Sequence, residues 1–164
     1  MISLGGSDRR GYLTTVEVTD IGPKNNDVCL IADLPRMVSS PSAVYTNMGL
    51  ILCGADSDQT SKKCYILKSN GTWIRFHDLT QSRAGFSMTK IKEHLVVIGG
   101  SSAESSIEYI NIQNGTKWET KNIDFEVKYH CAVAINETTI MIIGGLKNSE
   151  VFRIFYLFCY CIEK

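Results

Sequence analysis

The chain has 164 residues, 44% of them hydrophobic, with 17 Lys plus Arg set against 17 Asp plus Glu. That length fits one domain with a real core, and the even charge balance gives no electrostatic case for a nucleic acid or an anionic membrane as partner. The longest apolar stretch, Val151 to Ile162, is 12 residues and carries Arg153, too short to span a bilayer, and the first residues lack the basic lead-in and apolar segment of a signal peptide.

A short apolar run ending in small residues occurs four times: Ile2 to Gly6, Leu50 to Gly54, Leu95 to Gly100 and Ile140 to Gly145. The first small residues step by 48, 46 and 45. A period of that size with β-type runs inside it predicts propeller blades of four short strands. In chain order, the first copy (about 1–35) starts in a second strand, runs through Gly11 to Thr19 and ends in Val28 to Ile31. The second (36–82) has Ser42 to Tyr45, Leu50 to Cys53 and Lys63 to Leu67, then Asn70-Gly71 as a two-residue hairpin turn before Trp73. The third (83–127) has Phe86 to Lys90, His94 to Ile98, and Ser106 to Ile112, whose alternation is that of a half-buried strand. Asn114-Gly115 again reads as a hairpin turn with φ > 0, and Lys117 to Glu119 opens the fourth strand. The fourth copy (128–154) has Tyr129 to Ile135, Thr139 to Ile143 and Glu150 to Phe155, and the apolar tail 155–164 falls outside the repeat. The expected fold is all-β: an incomplete propeller of two full four-stranded antiparallel blades and two partial ones. Trp73 and Trp118, 45 apart, predict rings that pack one blade on the next.

The Gly-Gly pairs, Tyr65 and Tyr109, Trp73 and Trp118, and Arg36 and Arg83 resemble the kelch repeat over nearly the whole chain up to about Glu150. Cys53 in place of a Gly, Val28 where a Trp would stand, and no Trp in the last copy are departures. The resemblance implies a kelch-type β-propeller. Kelch rings close with about six blades, so these repeats imply a fragment of a larger propeller. Its exposed end blades would meet neighbouring blades or self-associate. Closure as a four-bladed ring is the alternative.

Arg36, Arg83 and Lys128 precede the inner strand of three successive copies, at steps of 47 and 45, and predict an arc of cations around one mouth of the channel. In some kelch ubiquitin-ligase adaptors, arginines at this slot read acidic peptides, and the guanidinium fork suits carboxylates. The loops between second and third strands, with Asp8, Arg9, Arg10, Asp56, Asp58 and Glu104, are further binding candidates on the same face. Cys53 and Cys64 end one strand and begin its neighbour, which allows a disulfide within one blade, and the placement is similar to that in secreted invertebrate kelch-like proteins. Asn70, Asn114 and Asn136 head Asn-x-Thr sequons. The compartment stays open between cytoplasm and outside the cell. No cofactor or metal is expected. His77, His94 and His130 share no ligand spacing, and His130 and Cys131, adjacent on one strand, point to opposite faces. These residues point to a non-catalytic protein-binding scaffold. An extracellular glycosylated recognition or adhesion domain is the alternative, and a fragment of a galactose-oxidase-like copper enzyme a third reading.

Overall fold

A computed structural model describes residues 2–19, 28–36, 38, 40–54, 62–147, 150–151 and 155–159. Among these residues every regular element is a strand. The first blade holds β1 (Ile2–Leu4), a small ribbon of β2 (Ser7–Asp8) and β3 (Gly11–Tyr12), then β4 (Val16–Thr19) and β5 (Val28–Ile31). The second is β6 (Ser42–Thr46), β7 (Gly49–Cys53), β8 (Cys64–Leu67) and β9 (Trp73–Arg75). The third is β10 (Ser87–Ile91), β11 (His94–Ile98), β12 (Ser106–Asn111) and β13 (Glu119–Asn122). The fourth has β14 (Cys131–Ala134), β15 (Thr139–Ile143), a ribbon of β16 (Leu146–Lys147) and β17 (Glu150–Val151), and β18 (Phe155–Cys159). The middle blades are four-stranded, the outer ones three-stranded, and neighbouring strands pair in sequence order within each. The fold is therefore an incomplete, propeller-like array of antiparallel sheets.

The sheets stack because the middle ones are apolar on both faces. Along β11, Leu95 and Val97 enter one core with Ile51, Ile66, Phe86 and Trp118, between the second and third blades. Val96 and Ile98 enter another with Ile107, Ile140 and Ile142, between the third and fourth. A third core, Val16, Leu34, Val38 and Leu52, joins the first two blades. The period-2 alternation of a strand thus serves two neighbours at once.

Two kinds of hydrogen bond fix the spacing between blades. Trp73 Nε1 donates to the Ala32 carbonyl at 3.0 Å and Trp118 Nε1 to the His77 carbonyl at 2.8 Å, each reaching back 41 residues to the preceding blade. On the inner strands, Ser42 Oγ accepts from Met88 N at 2.9 Å and Ser87 Oγ from Ala132 N at 2.8 Å. The repeat is thus carried by a ring at the outer edge and a hydroxyl at the inner one.

Several details differ from the sequence reading. The pairs Ser42↔Cys53, Ser87↔Ile98 and Cys131↔Ile143 put Cys53 at the last strand position. Gly54 N bonds the Lys63 carbonyl as Gly5 N bonds that of Thr15, so Cys53 displaces no glycine. The second glycine's place falls on residue 55, outside the described residues. The first glycine is needed because the next blade's lead-in crosses over it: a Cβ on Gly99 would run into the Val127 carbonyl, and one on Gly5 into that of Val38. The Asn-Gly turns are not two-residue hairpins. Lys68 and Thr72 close a three-residue loop in which only Gly71 has positive φ, +80°, the bulged form next in frequency to the tight turn. Gly115 stays out of the left-handed region, and its N–H caps Asn111, whose side chain also accepts from Gln113 N and Asn114 N.

The third strand of the last blade is β18, not Glu150 to Phe155, so the segment read as a tail enters the sheet, with Ile143↔Phe155 and Thr139↔Cys159 paired. The connection before it, 144–154, has the length of its counterpart 5–15 in the first blade, and both carry a ribbon. The outward faces of the end blades also differ. Val133 and Ile143, 44% and 37% exposed, point away from the fourth blade's core. On the first blade the outward cross-strand pair is Ser3 and Glu17, both exposed.

Truncating Trp118 should remove both the interblade packing and the bond to His77. We expect Trp118→Ala to cost about 3–5 kcal/mol, and Trp118→Phe, which keeps most of the packing, to cost nearer 1 kcal/mol from the lost hydrogen bond. Urea unfolding of the two variants checks this.

Candidate binding face

Antiparallel strands send the second-to-third connections and the lead-ins to each inner strand out of the same end. Backbone bridges hold them together there: Leu13 with Val38, Ala84 with Ser101, and Lys128 with Leu146. Gly6 N and Gly100 N also donate to the Val38 and Val127 carbonyls at 3.0 and 2.9 Å, clamping each connection to the next blade's lead-in. This is the face on which the candidate cations and loops were expected.

The arc of cations does not form as expected. Arg83 is fully buried, 0% exposed, and its donors are spent inside its own blade. Nε meets Glu108 Oε1 at 2.8 Å, Nη1 the carbonyls of Gly99, Ala103 and Ser106 at 2.7–3.1 Å, and Nη2 the Ser106 hydroxyl at 2.7 Å. Burial pulls the guanidinium below its ordinary range and Glu108 opposes that shift. Glu108, also 0% exposed, caps Thr80 N and Gln81 N with its remaining capacity. The alternation along β12 therefore does not mark a half-buried strand: its acid faces a neighbouring blade and is matched by the lead-in cation. Lys128 and Glu104, two further candidates, meet each other at 2.6 Å, and that hydrogen bond holds the ammonium above the usual lysine range. Arg36 lies half-buried on its lead-in.

The β2–β3 ribbon is different. Asp8 Oδ1 accepts from Arg10 N at 2.7 Å and Gly11 N at 3.1 Å, so this acid shapes the turn. Arg9 and Arg10 stand at the tip, both exposed, with the Arg10 side chain 92% open to solvent despite a 3.4 Å contact to Asp8. Asp56 and Asp58 lie outside the described residues. Cys53 and Cys64, at either end of the connection 54–63, are joined by a disulfide with Cα atoms 4.1 Å apart. Cys131 is a free, exposed thiol. Asn70, Asn114 and Asn136 are all exposed in turns at the opposite end of the strands. Among the described residues no group of three His, Cys, Asp or Glu side chains could hold a metal, and no helix is long and apolar enough to cross a membrane.

Sequence reasoning weighed His130 only as a metal ligand or a thiol partner and did not show that it is buried. It occupies the slot before β14 that Phe86 fills before β10, is 8% exposed, and neither ring nitrogen has a hydrogen-bond partner among the described residues. Burial pushes its pKa down to about 4.

Two predictions follow from these buried groups. Removing one partner of the Arg83–Glu108 pair, as in Glu108→Ala, strands a charge in the interior and should cost about 3–5 kcal/mol in urea unfolding, whereas loss of a mere surface pair would be below about 1 kcal/mol. For His130, the unfolded chain takes up a proton near pH 6.5 while the folded chain refuses it until about 4. Stability is therefore fully present above pH 6.5 and declines as pH falls toward 4, by roughly 3 kcal/mol in all. His130→Phe should flatten that decline in thermal melts taken between these pH values.

No family model and no curated protein matches the chain. The solved structure of YjhT is similar in fold, with a TM-score of 0.76 at 14% identity, covering 93% of this chain. The chain spans about half of that protein, 51% of its length. At this identity the likeness concerns the fold alone.

Proposed function

We propose that this protein is a non-catalytic binding scaffold of the kelch type, which engages a protein or peptide partner through the loops that share a face with the blade lead-ins. The observation that carries the reading is the Arg9–Arg10 tip. Two guanidiniums stand exposed on a short ribbon whose turn is fixed by Asp8. A preshaped loop on a stacked, hydrogen-bonded framework loses little freedom on binding, and paired guanidiniums favour carboxylate-rich partners. The acidic-peptide preference inferred for the lead-in cations therefore passes to this tip, since Arg83 has no donor left to offer.

The test is charge reversal. Arg9→Glu with Arg10→Glu should weaken capture of an acidic peptide by tenfold or more, on the order of 1.5–3 kcal/mol for each lost charge-assisted bond. Binding of the unaltered protein should also fall as salt rises. Unchanged binding in the double variant would remove the reading.

A second reading, an extracellular recognition domain, is favoured by the Cys53–Cys64 bridge, because disulfides persist in oxidising compartments.

A further inference from the structure

The sequons lie in short strand-to-strand turns of three successive blades. Asn70 lies in the turn between β8 and β9, Asn114 between β12 and β13, and Asn136 between β14 and β15. These are third-to-fourth and first-to-second connections. In an antiparallel sheet both leave from the same end of the strands, opposite the end that carries the paired glycines and the Arg9–Arg10 tip. The inner-strand bonds from Met88 N to Ser42 Oγ and from Ala132 N to Ser87 Oγ hold three successive blades in one alignment, so the three turns share one face of the array.

Each site has the chemistry of an acceptor. All three asparagines are exposed and each has Thr two residues on. Asn70 Oδ1 accepts from Thr72 N at 3.1 Å, and Asn136 Oδ1 accepts from Thr138 N and Thr138 Oγ1 at 2.8 and 3.1 Å. Those bonds engage the amide oxygen and not Nδ2. The surroundings also suit a polar cover. Ile135, beside Asn136, is 47% exposed. Ser69, beside Asn70, lines a cleft of about 270 Å³ with Met48, Leu67 and Tyr45, and Tyr45 is 77% exposed.

Resting on the extracellular reading, we infer that Asn70, Asn114 and Asn136 are N-glycosylated and that the sugars coat one face of the blade array while leaving the Arg9–Arg10 face bare. In each transfer, Nδ2 forms a bond to C1 of an oligosaccharide carried on a lipid diphosphate. The C1–O bond to phosphate breaks, the lipid diphosphate leaves, and the Nδ2 proton passes to a base of the transferase. The bridge between Cys53 and Cys64 is the independent sign that the chain meets the compartment where such donors work.

The chain is expressed behind a secretory leader in eukaryotic cells, and its mass and asparagine-containing peptides are read before and after enzymatic deglycosylation. A chain held in the microsomal fraction is read in the same way. Glycan is expected on all three asparagines, with one unit lost in each of Asn70→Gln, Asn114→Gln and Asn136→Gln. Bare asparagines in disulfide-bonded protein would overturn the inference and leave the extracellular reading standing, whereas six free thiols would remove that reading itself. Amine labelling tests the segregation. Lys117, in the Asn114 turn, should lose reactivity in the glycosylated form relative to the deglycosylated one, and Lys62, on the connection 54–63 at the other end, should not. Equal protection of the two lysines would sink the one-face arrangement.

Discussion

A short sheet buried on both faces must find a neighbour for each of them, and every other feature of this chain answers to that demand. The second strands show it most clearly. Leu95 and Val97 belong to one interblade core and Val96 and Ile98 to another, so four consecutive side chains commit a single strand to two different blades. No blade can be removed without exposing its neighbours, and local propensity alone does not explain such brief strands. The tryptophan N–H groups and inner-strand hydroxyls then set the blades at a repeatable distance and angle, which apolar packing alone does not specify.

Much of this architecture was legible in the sequence because it rests on period. The β-branched runs and the glycines after them recur at near-constant spacing, and His94 to Ile98 and Thr139 to Ile143 form strands with the bounds read from the residues. The turns were less legible, because Asn-Gly is compatible with several loop lengths and the choice depends on closing bonds such as those between Lys68 and Thr72. The last blade's third strand was missed for a similar reason. Its connection is long and carries a ribbon, as the first blade's does, and the eye looks for a strand sooner. Glu108 is the instructive case. Read along its own strand it is a solvent-side residue, and only the cation 25 positions earlier shows that it lies inside.

The same pairing changes what a column of basic residues means. Three cations at blade spacing look like a binding surface, yet one is an internal tie for the loop 99–106, one neutralises Glu104, and one lies half-buried at a lead-in. Position in the repeat fixes where the backbone goes. Each side chain's task depends on whether an acid is supplied nearby, and the period does not encode that. Freedom to bind accordingly sits in a ribbon that only some blades possess, where Arg9 and Arg10 have no interior to serve.

Cys131 pairs with Ile143 as Ser87 pairs with Ile98, so it stands where the earlier inner strands offer a hydroxyl to the following sheet. Sulfur is a weak acceptor. The handover that runs from Ser42 to Met88 and from Ser87 to Ala132 therefore fades at the fourth blade. Whatever lies against that side is received by the apolar surface of Val133 and Ile143 without a directional bond to dictate its register, which leaves this flank of the molecule the most permissive to sliding.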